Sequence, residues 1–432
     1  MHCSLRVGTV VTLFAAMLSL CSLLSLSAGA SEEFQKPPIT IEASEVLPKN
    51  LLTGPNYRIK ETVKNDGLVN TYELETSYGP LSVEGTVHLL VRLNELKALQ
   101  RMEKLKETGV YKEALKKSAQ GPLKGAQALV TDPAENVKGA ETGIGRWFSD
   151  VGRSIVNTDP HQAHVPETAA GQSPTRRKFA YDFGINPYSG YQPLQKVLND
   201  ISWTAAAGGL TSKVALSAIP GAAGVMVSTA GTADAMKTLV RDKSLAQLEK
   251  INEKKLLAMG VPAGLAKKFL KNPHYNPQEL TLLAGELYSM KNVKDRQKFI
   301  VSAVRATEES LALFMRAQAQ MIAAYSAYMK AQATFVNISG TPFLKTKDGV
   351  LVGLFPLDHI AHTPTLVHRE KALSEAISKL PGIKGKELWI GWKVNPAARK
   401  ALETNGWRIQ ERVYDMLGLR ALDWADDQSC CP

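Results

Sequence analysis

Along this chain the spacing of apolar side chains changes twice, and a chain that changes period this way must combine sheet with helix. From Tyr57 to Leu93 the apolar residues alternate around two turn sequences, Asn65-Asp66-Gly67 and Tyr78-Gly79-Pro80. Asp-Gly between alternating runs predicts a hairpin, because glycine accepts the positive φ the turn needs. A helix is then expected from about Leu89 to Lys117, with Leu93, Leu96, Leu99 and Leu105 buried. Residues 179–335 switch to helical spacing. The longest helix is expected from Asp295 to about Phe335, where Ile300, Val304, Leu311, Phe314, Met321, Tyr325 and Tyr328 fall on one face. Helices with such faces bury one another in a bundle.

After residue 338 both periods are mixed. Phe343 to Phe355 reads as a hairpin around Lys347-Asp348-Gly349, His368 to Leu380 as a helix and Leu388 to Trp392 as a strand. A helix opened by Asn395-Pro396 runs to Thr404, and a strand follows from Trp407 to Val413. Strand, helix and strand at this spacing make a small α/β unit. The expected fold is α+β and predominantly helical, with a small N-terminal antiparallel sheet, a central helical bundle and a small C-terminal α/β unit.

Residues 1–30 hold one charge, Arg6, then an apolar run from Val7 to Leu26, then Ala28-Gly29-Ala30. A basic end, an apolar core and small residues at the −3 and −1 positions predict a signal peptide cleaved after Ala30, and hence a mature chain 31–432 outside the bacterial cytoplasm. An uncleaved anchor is the alternative. A lipoprotein cut before Cys21 is disfavoured by Leu20. The remaining divisions are 31–156, a sheet plus amphipathic helices; 157–178, a Pro-interrupted basic linker; 179–335, the helical domain; and 336–432, the α/β domain with a free tail.

Two segments raise the question of membranes. Ile144, Trp147, Phe148, Val151 and Ile155 recur at helical spacing beside Arg146 and Arg153. Such a helix lies on an anionic surface or, more commonly, packs on its own core. Val214 to Ala233 carries no charge, which is long enough to cross a bilayer. Its Ala, Gly, Ser and Thr content and Pro220-Gly221 instead suggest two close-packed helices in a soluble hairpin. Insertion of a hairpin over 201–240 is the alternative.

The chain has four cysteines. Cys3 and Cys21 fall in the leader; Cys430 and Cys431 are adjacent in the tail and can close no useful loop on each other. No internal disulfide framework is available, so the core must hold the fold. Net charge is +11, and loss of Arg6 with the leader lowers it to +10. That balance suits an anionic membrane surface or a cell-wall polymer, or simply aids solubility; a protein partner is open, and export makes nucleic acid an unexpected one.

Asp358, His359, His362, His368 and Glu370 form the sharpest local cluster. His359, His362 and His368 are the candidate metal ligands, for a zinc-type ion, although Thr363-Pro364 should interrupt any helix there and no His-Glu-x-x-His pattern is present. His161 and His164 read as linker. There is no Gly-x-Ser-x-Gly elbow and no phosphate loop; the glycines from Gly139 to Gly145 follow no expected strand. Trp389, Trp392 and Trp407 gather near the C-terminus, with Trp389 and Trp392 on opposite faces of a regular strand. Absence of a catalytic motif points first to a non-enzymatic exported protein that binds or scaffolds at the cell envelope. The alternatives are a membrane-inserting protein using 201–240 and a metal-dependent enzyme using 358–370.

Overall fold

The computed structural model describes residues 34–119, 144, 174–220, 232–330 and 332–419. Its first sheet is antiparallel throughout and has six strands: β1 (Ile39–Glu42), β2 (Thr53–Gly54), β3 (Tyr57–Ile59), β4 (Thr62–Asn65), β5 (Asn70–Thr76) and β6 (Gly79–Glu84). Strand β5 is its spine. Along one edge β4 pairs with its start and β3 with its end; β6 pairs along the other edge. The β4–β5 turn forms as expected. Gly67 has φ +104°, and the Asp66 carboxylate accepts from the amides of Leu68 at 2.9 Å and Val69 at 2.8 Å. This is the local pairing that makes aspartate a turn former. Two four-residue helices, α1 (Ala43–Val46) and α2 (Lys49–Leu52), lie between β1 and β2.

The single helix expected over 89–117 is two, α3 (Thr86–Glu107) and α4 (Gly109–Ala119). Thr108 divides them. Its hydroxyl donates to the Leu105 carbonyl at 2.7 Å and accepts from the Tyr111 amide at 3.3 Å, closing one helix and capping the next. Leu93, Leu96, Leu99 and Leu105 are buried as expected, against Val63, Tyr72, Leu74 and Val83 of the sheet. The same core takes in α5 (Pro174–Asp182), α6 (Gln192–Gly208) and α7 (Ser212–Ser217). The end of the expected linker is thus helical from Pro174; residues 157–173 lie outside the described ones, as does 221–231 of the Ala/Gly-rich stretch. Gly208 permits close approach of α6 to α4, since a Cβ there would sit 2.2 Å from the Ala114 carbonyl oxygen.

The bundle consists of α8 (Thr232–Asp242), α9 (Leu245–Ala258), α10 (Ala263–Leu270), α11 (Pro277–Ser289), α12 (Gln297–Ala303) and α13 (Glu309–Met329). The long helix expected from Asp295 to Phe335 is broken between α12 and α13, and Phe335 lies in a strand. The break has a cause 32 residues upstream: the Asn272 amide donates to the carbonyls of Val304 at 3.1 Å and Ala306 at 3.0 Å, which a continuous helix would use internally. Every residue of α13 from Ser310 to Ile322 is buried, so this helix has no solvent face over that length.

The second sheet is mixed, in the order β14-β12-β10-β9-β8-β7. It contains β7 (Val293–Lys294), β8 (Ala333–Ile338), β9 (Thr341–Thr346), β10 (Val350–Phe355), β12 (Gly385–Ile390) and β14 (Trp407–Gln410). A two-residue strand β11 (His359–Ile360) pairs with β13 (Lys393–Val394). Strands β10, β12 and β14 are parallel and linked through α14 (Pro364–Ser378) and α15 (Pro396–Thr404); α16 (Val413–Met416) follows. Thr363-Pro364 does not interrupt α14 but opens it. The Thr363 hydroxyl accepts from the Leu366 amide at 3.1 Å and Pro364 occupies the first turn, where a proline costs no hydrogen bond. Asn395 caps α15 in the same way, accepting from the Ala397 amide at 2.9 Å. Gly353 lets the rings of Phe343 and Phe355 close over β10, because a Cβ there would meet each at 2.7 Å.

The fold is α+β and predominantly helical, with 55% of the described residues in sixteen helices. The described residues from Lys36 onward form one compact unit. No described helix is long and apolar enough to cross a membrane.

Candidate functional site

Parallel strands deliver their C-terminal ends to one edge of a sheet, the usual place for a site in α/β folds. Here β10 ends at Phe355, and Asp358 follows three residues later with only 3% of its surface exposed. Its carboxylate is occupied by backbone amides. It accepts from the Asn70 amide at 2.8 Å and, with both oxygens, from the Thr86 amide at 3.1 and 3.2 Å. Thr86 is the first residue of α3, so Asp358 supplies that helix with the N-terminal acceptor that Gly85, lacking a side chain, cannot.

The contact is reciprocal. The amides of Asp358 and His359 donate to the Leu68 carbonyl at 3.1 and 3.3 Å, that of Ala361 donates to Gly67 at 2.9 Å, and the Asn65 side chain donates to the His359 carbonyl at 3.2 Å. The tip of the β4–β5 hairpin is therefore seated at the end of the second sheet. Leu68, Val69, Val87, Leu90 and Val91 join the core of the bundle and second sheet rather than that of their own sheet.

Burial pushes the Asp358 carboxyl up to about 7, against the hydrogen bonds from Asn70 and Thr86; the nearby Asp66 adds to the rise. Tyr72 and Tyr414 also face it, and burial raises both phenols far beyond their ordinary range. Tyr72 is held by Thr86 at 2.6 Å and Asn70 at 2.9 Å.

The other residues of the 358–370 cluster point elsewhere. His359 is half-buried, and burial with the nearby Lys393 pushes its pKa down. His362 is buried, whereas His368 is exposed on α14. Glu370 accepts from the Trp407 indole at 3.1 Å and from Ser374 at 2.5 Å, with Lys386 at 4.0 Å. Among the described residues no group of three or more His, Cys, Asp or Glu side chains is placed to hold a metal ion. His161, His164, Cys430 and Cys431 lie outside the described residues. Trp389 and Trp407 are buried. Trp392, beyond the end of β12, is half-buried with its ring 4.9 Å from that of Tyr414.

Two interior ion pairs could not be read from sequence. Arg316 on α13 donates to Glu279 on α11 at 2.9 Å and to Gln320 at 2.9 Å. Arg92 holds Glu95 at 2.6 Å within α3. Burial raises both glutamates, and the guanidiniums draw them back down. Beside Arg92, His88 is pushed down to about 4 by burial and then by that guanidinium. It lines a small pocket with Glu84, Ser310 and the apolar side chains of Val69, Val87, Ile144, Leu313, Phe314 and Pro356. The Ser310 hydroxyl lies 3.3 Å from Glu84 and 3.5 Å from Glu308. Serine is thus bound to carboxylate rather than to imidazole, which is not the arrangement of an activated nucleophile.

Compared with known proteins, the chain matches no family model, and it has no significant match to a curated protein or to a solved structure.

Proposed function

We propose that this is an exported, non-enzymatic protein of the cell envelope that binds an anionic membrane surface or cell-wall polymer. The observation that carries the reading is the face of α4. Only Tyr111 and Ala114 of this helix are buried. Lys112, Lys116 and Lys117 are exposed, as are Val110 at 39% and Leu115 at 48%. The neighbouring α6 exposes Trp203 at 46%. Lysine with exposed aliphatic and aromatic side chains is the composition of an interfacial surface, in which charge attracts and apolar groups enter the headgroup boundary. The leader-like first thirty residues and the positive balance support the same reading. The buried acids described above support the non-enzymatic part, since they are spent on helix starts and ion pairs.

The test is sedimentation with vesicles of phosphatidylglycerol and phosphatidylcholine, and with isolated cell wall. The wild-type chain should sediment with one of them, and less so as salt is raised. The triple variant K112E/K116E/K117E should remain in solution. A wild-type chain that binds neither at low salt refutes the proposal.

A further inference from the structure

Four buried arginines lie among the described residues: Arg92, Arg176, Arg177 and Arg316. Arg92 and Arg316 each hold a buried glutamate. Arg177 donates to the Arg241 carbonyl at 3.2 Å. Arg176, on α5, differs from these. It is the most enclosed, at 1% exposure, yet among the described residues no carboxylate opposes it. Its Nη2 donates to the Gln195 side-chain oxygen on α6 and reaches the Pro187 carbonyl at 3.5 Å. Its Nε and Nη1 are buried with no hydrogen-bond partner, and so is the Gln195 Nε2. The Tyr188 phenol feels this charge too: burial raises it, while the charges of Arg177 and then Arg176, and a hydrogen bond from Arg177, pull it down. Burial also pushes Arg176 down to about 10.

A guanidinium and an amide nitrogen can only donate, and a phenol can donate as well as accept. Two of the three guanidinium nitrogens of Arg176 are buried without an acceptor, which is costly unless an anion joins them. Guanidinium paired with an oxyanion through charge-assisted hydrogen bonds is the arrangement that removes this cost. Enclosure between α5, the Pro187–Tyr188 turn and α6 favours a small soluble species over a polymer or a lipid headgroup.

We infer that Arg176, Gln195 and Tyr188 form a binding site for a small soluble oxyanion, a phosphate or carboxylate group. The site is separate from the α4 face and does not rest on envelope binding.

The experiment is equilibrium dialysis of the full chain against labelled inorganic phosphate, and separately labelled acetate, in chloride buffer. One saturable site per chain is expected for at least one of the two anions. Y188F, which keeps the charge and the ring, should weaken binding by about tenfold, the equivalent of one hydrogen bond to a charged group. R176M should abolish saturable binding. Should R176M fail to fold, Y188F alone decides. Absence of saturable binding of both anions to the wild-type chain overturns the inference, as does equal affinity in wild type and Y188F.

Discussion

Replacing Asp358 by asparagine should remove a specific part of the protein's response to pH. The carboxyl has a pKa of about 7 when folded, against an ordinary value of 3.8. A raised folded pKa means that the folded state binds the proton more tightly. Its stabilising contribution is full below the ordinary value and is lost as pH rises through 7. Between pH 5 and pH 8 the folded group gives up its proton over about two pH units in which the unfolded group is already ionised. At about 1.4 kcal/mol per unit this amounts to about 3 kcal/mol. His88 and the other depressed imidazoles act in the opposite sense, gaining stability as pH rises toward their ordinary value, so the wild-type curve alone is not diagnostic. Asparagine keeps the shape and cannot titrate, and the difference between the two proteins isolates the carboxyl. The assay is urea unfolding of wild type and Asp358→Asn at pH 5, 6, 7 and 8. Relative to the variant, wild type should lose about 3 kcal/mol across the series, with most of the change below pH 7. A difference that stays constant from pH 5 to 8 would show that the carboxyl is not held as described.

Two further perturbations address the interior. Arg316→Met leaves Glu279 buried and alone and should cost about 3–5 kcal/mol by urea unfolding, whereas Arg316→Met with Glu279→Leu should recover most of it; a double variant no better than the single one would refute the pairing. Gly353→Ala forces a methyl to within 2.7 Å of two phenylalanine rings and should cost about 1–3 kcal/mol, read as a lower urea midpoint; an unchanged midpoint would mean that the rings yield freely.

Features written into neighbouring residues could be anticipated from sequence. The hairpin at Asp66-Gly67, the turn at Gly349 and the opening of α15 at Asn395-Pro396 each depend on side chains within a few positions of the backbone they serve. Expectation and structure part where a distant residue competes for that backbone. Asn272 takes carbonyls from the α12–α13 break, and nothing in the apolar spacing of 295–335 records its approach. Thr108 is a nearer case, a single hydroxyl that ends one helix and begins another inside an unbroken periodic pattern. Asp358 was visible as an acid beside histidines, which invited a metal-ligand reading. Its observed partners, Asn70 and Thr86, lie 288 and 272 residues earlier, and no local pattern joins them. Arg176 lies within 157–178, whose prolines and basic residues read as a linker. Its enclosure follows from the packing of α5 against α6.

The seating of the β4–β5 hairpin on the second sheet also bears on how the chain comes together in time. A ribosome makes Thr86 long before it makes Asp358. Until the last quarter of the chain has emerged and β10 has found its neighbours, the start of α3 must manage without its acceptor. Contacts of such long sequence separation are slow to form, and partly folded chains are exposed while they wait. A nascent or truncated chain ending before residue 358 should therefore fray at the start of α3, which makes this junction the natural point for a chaperone to hold or a protease to cut.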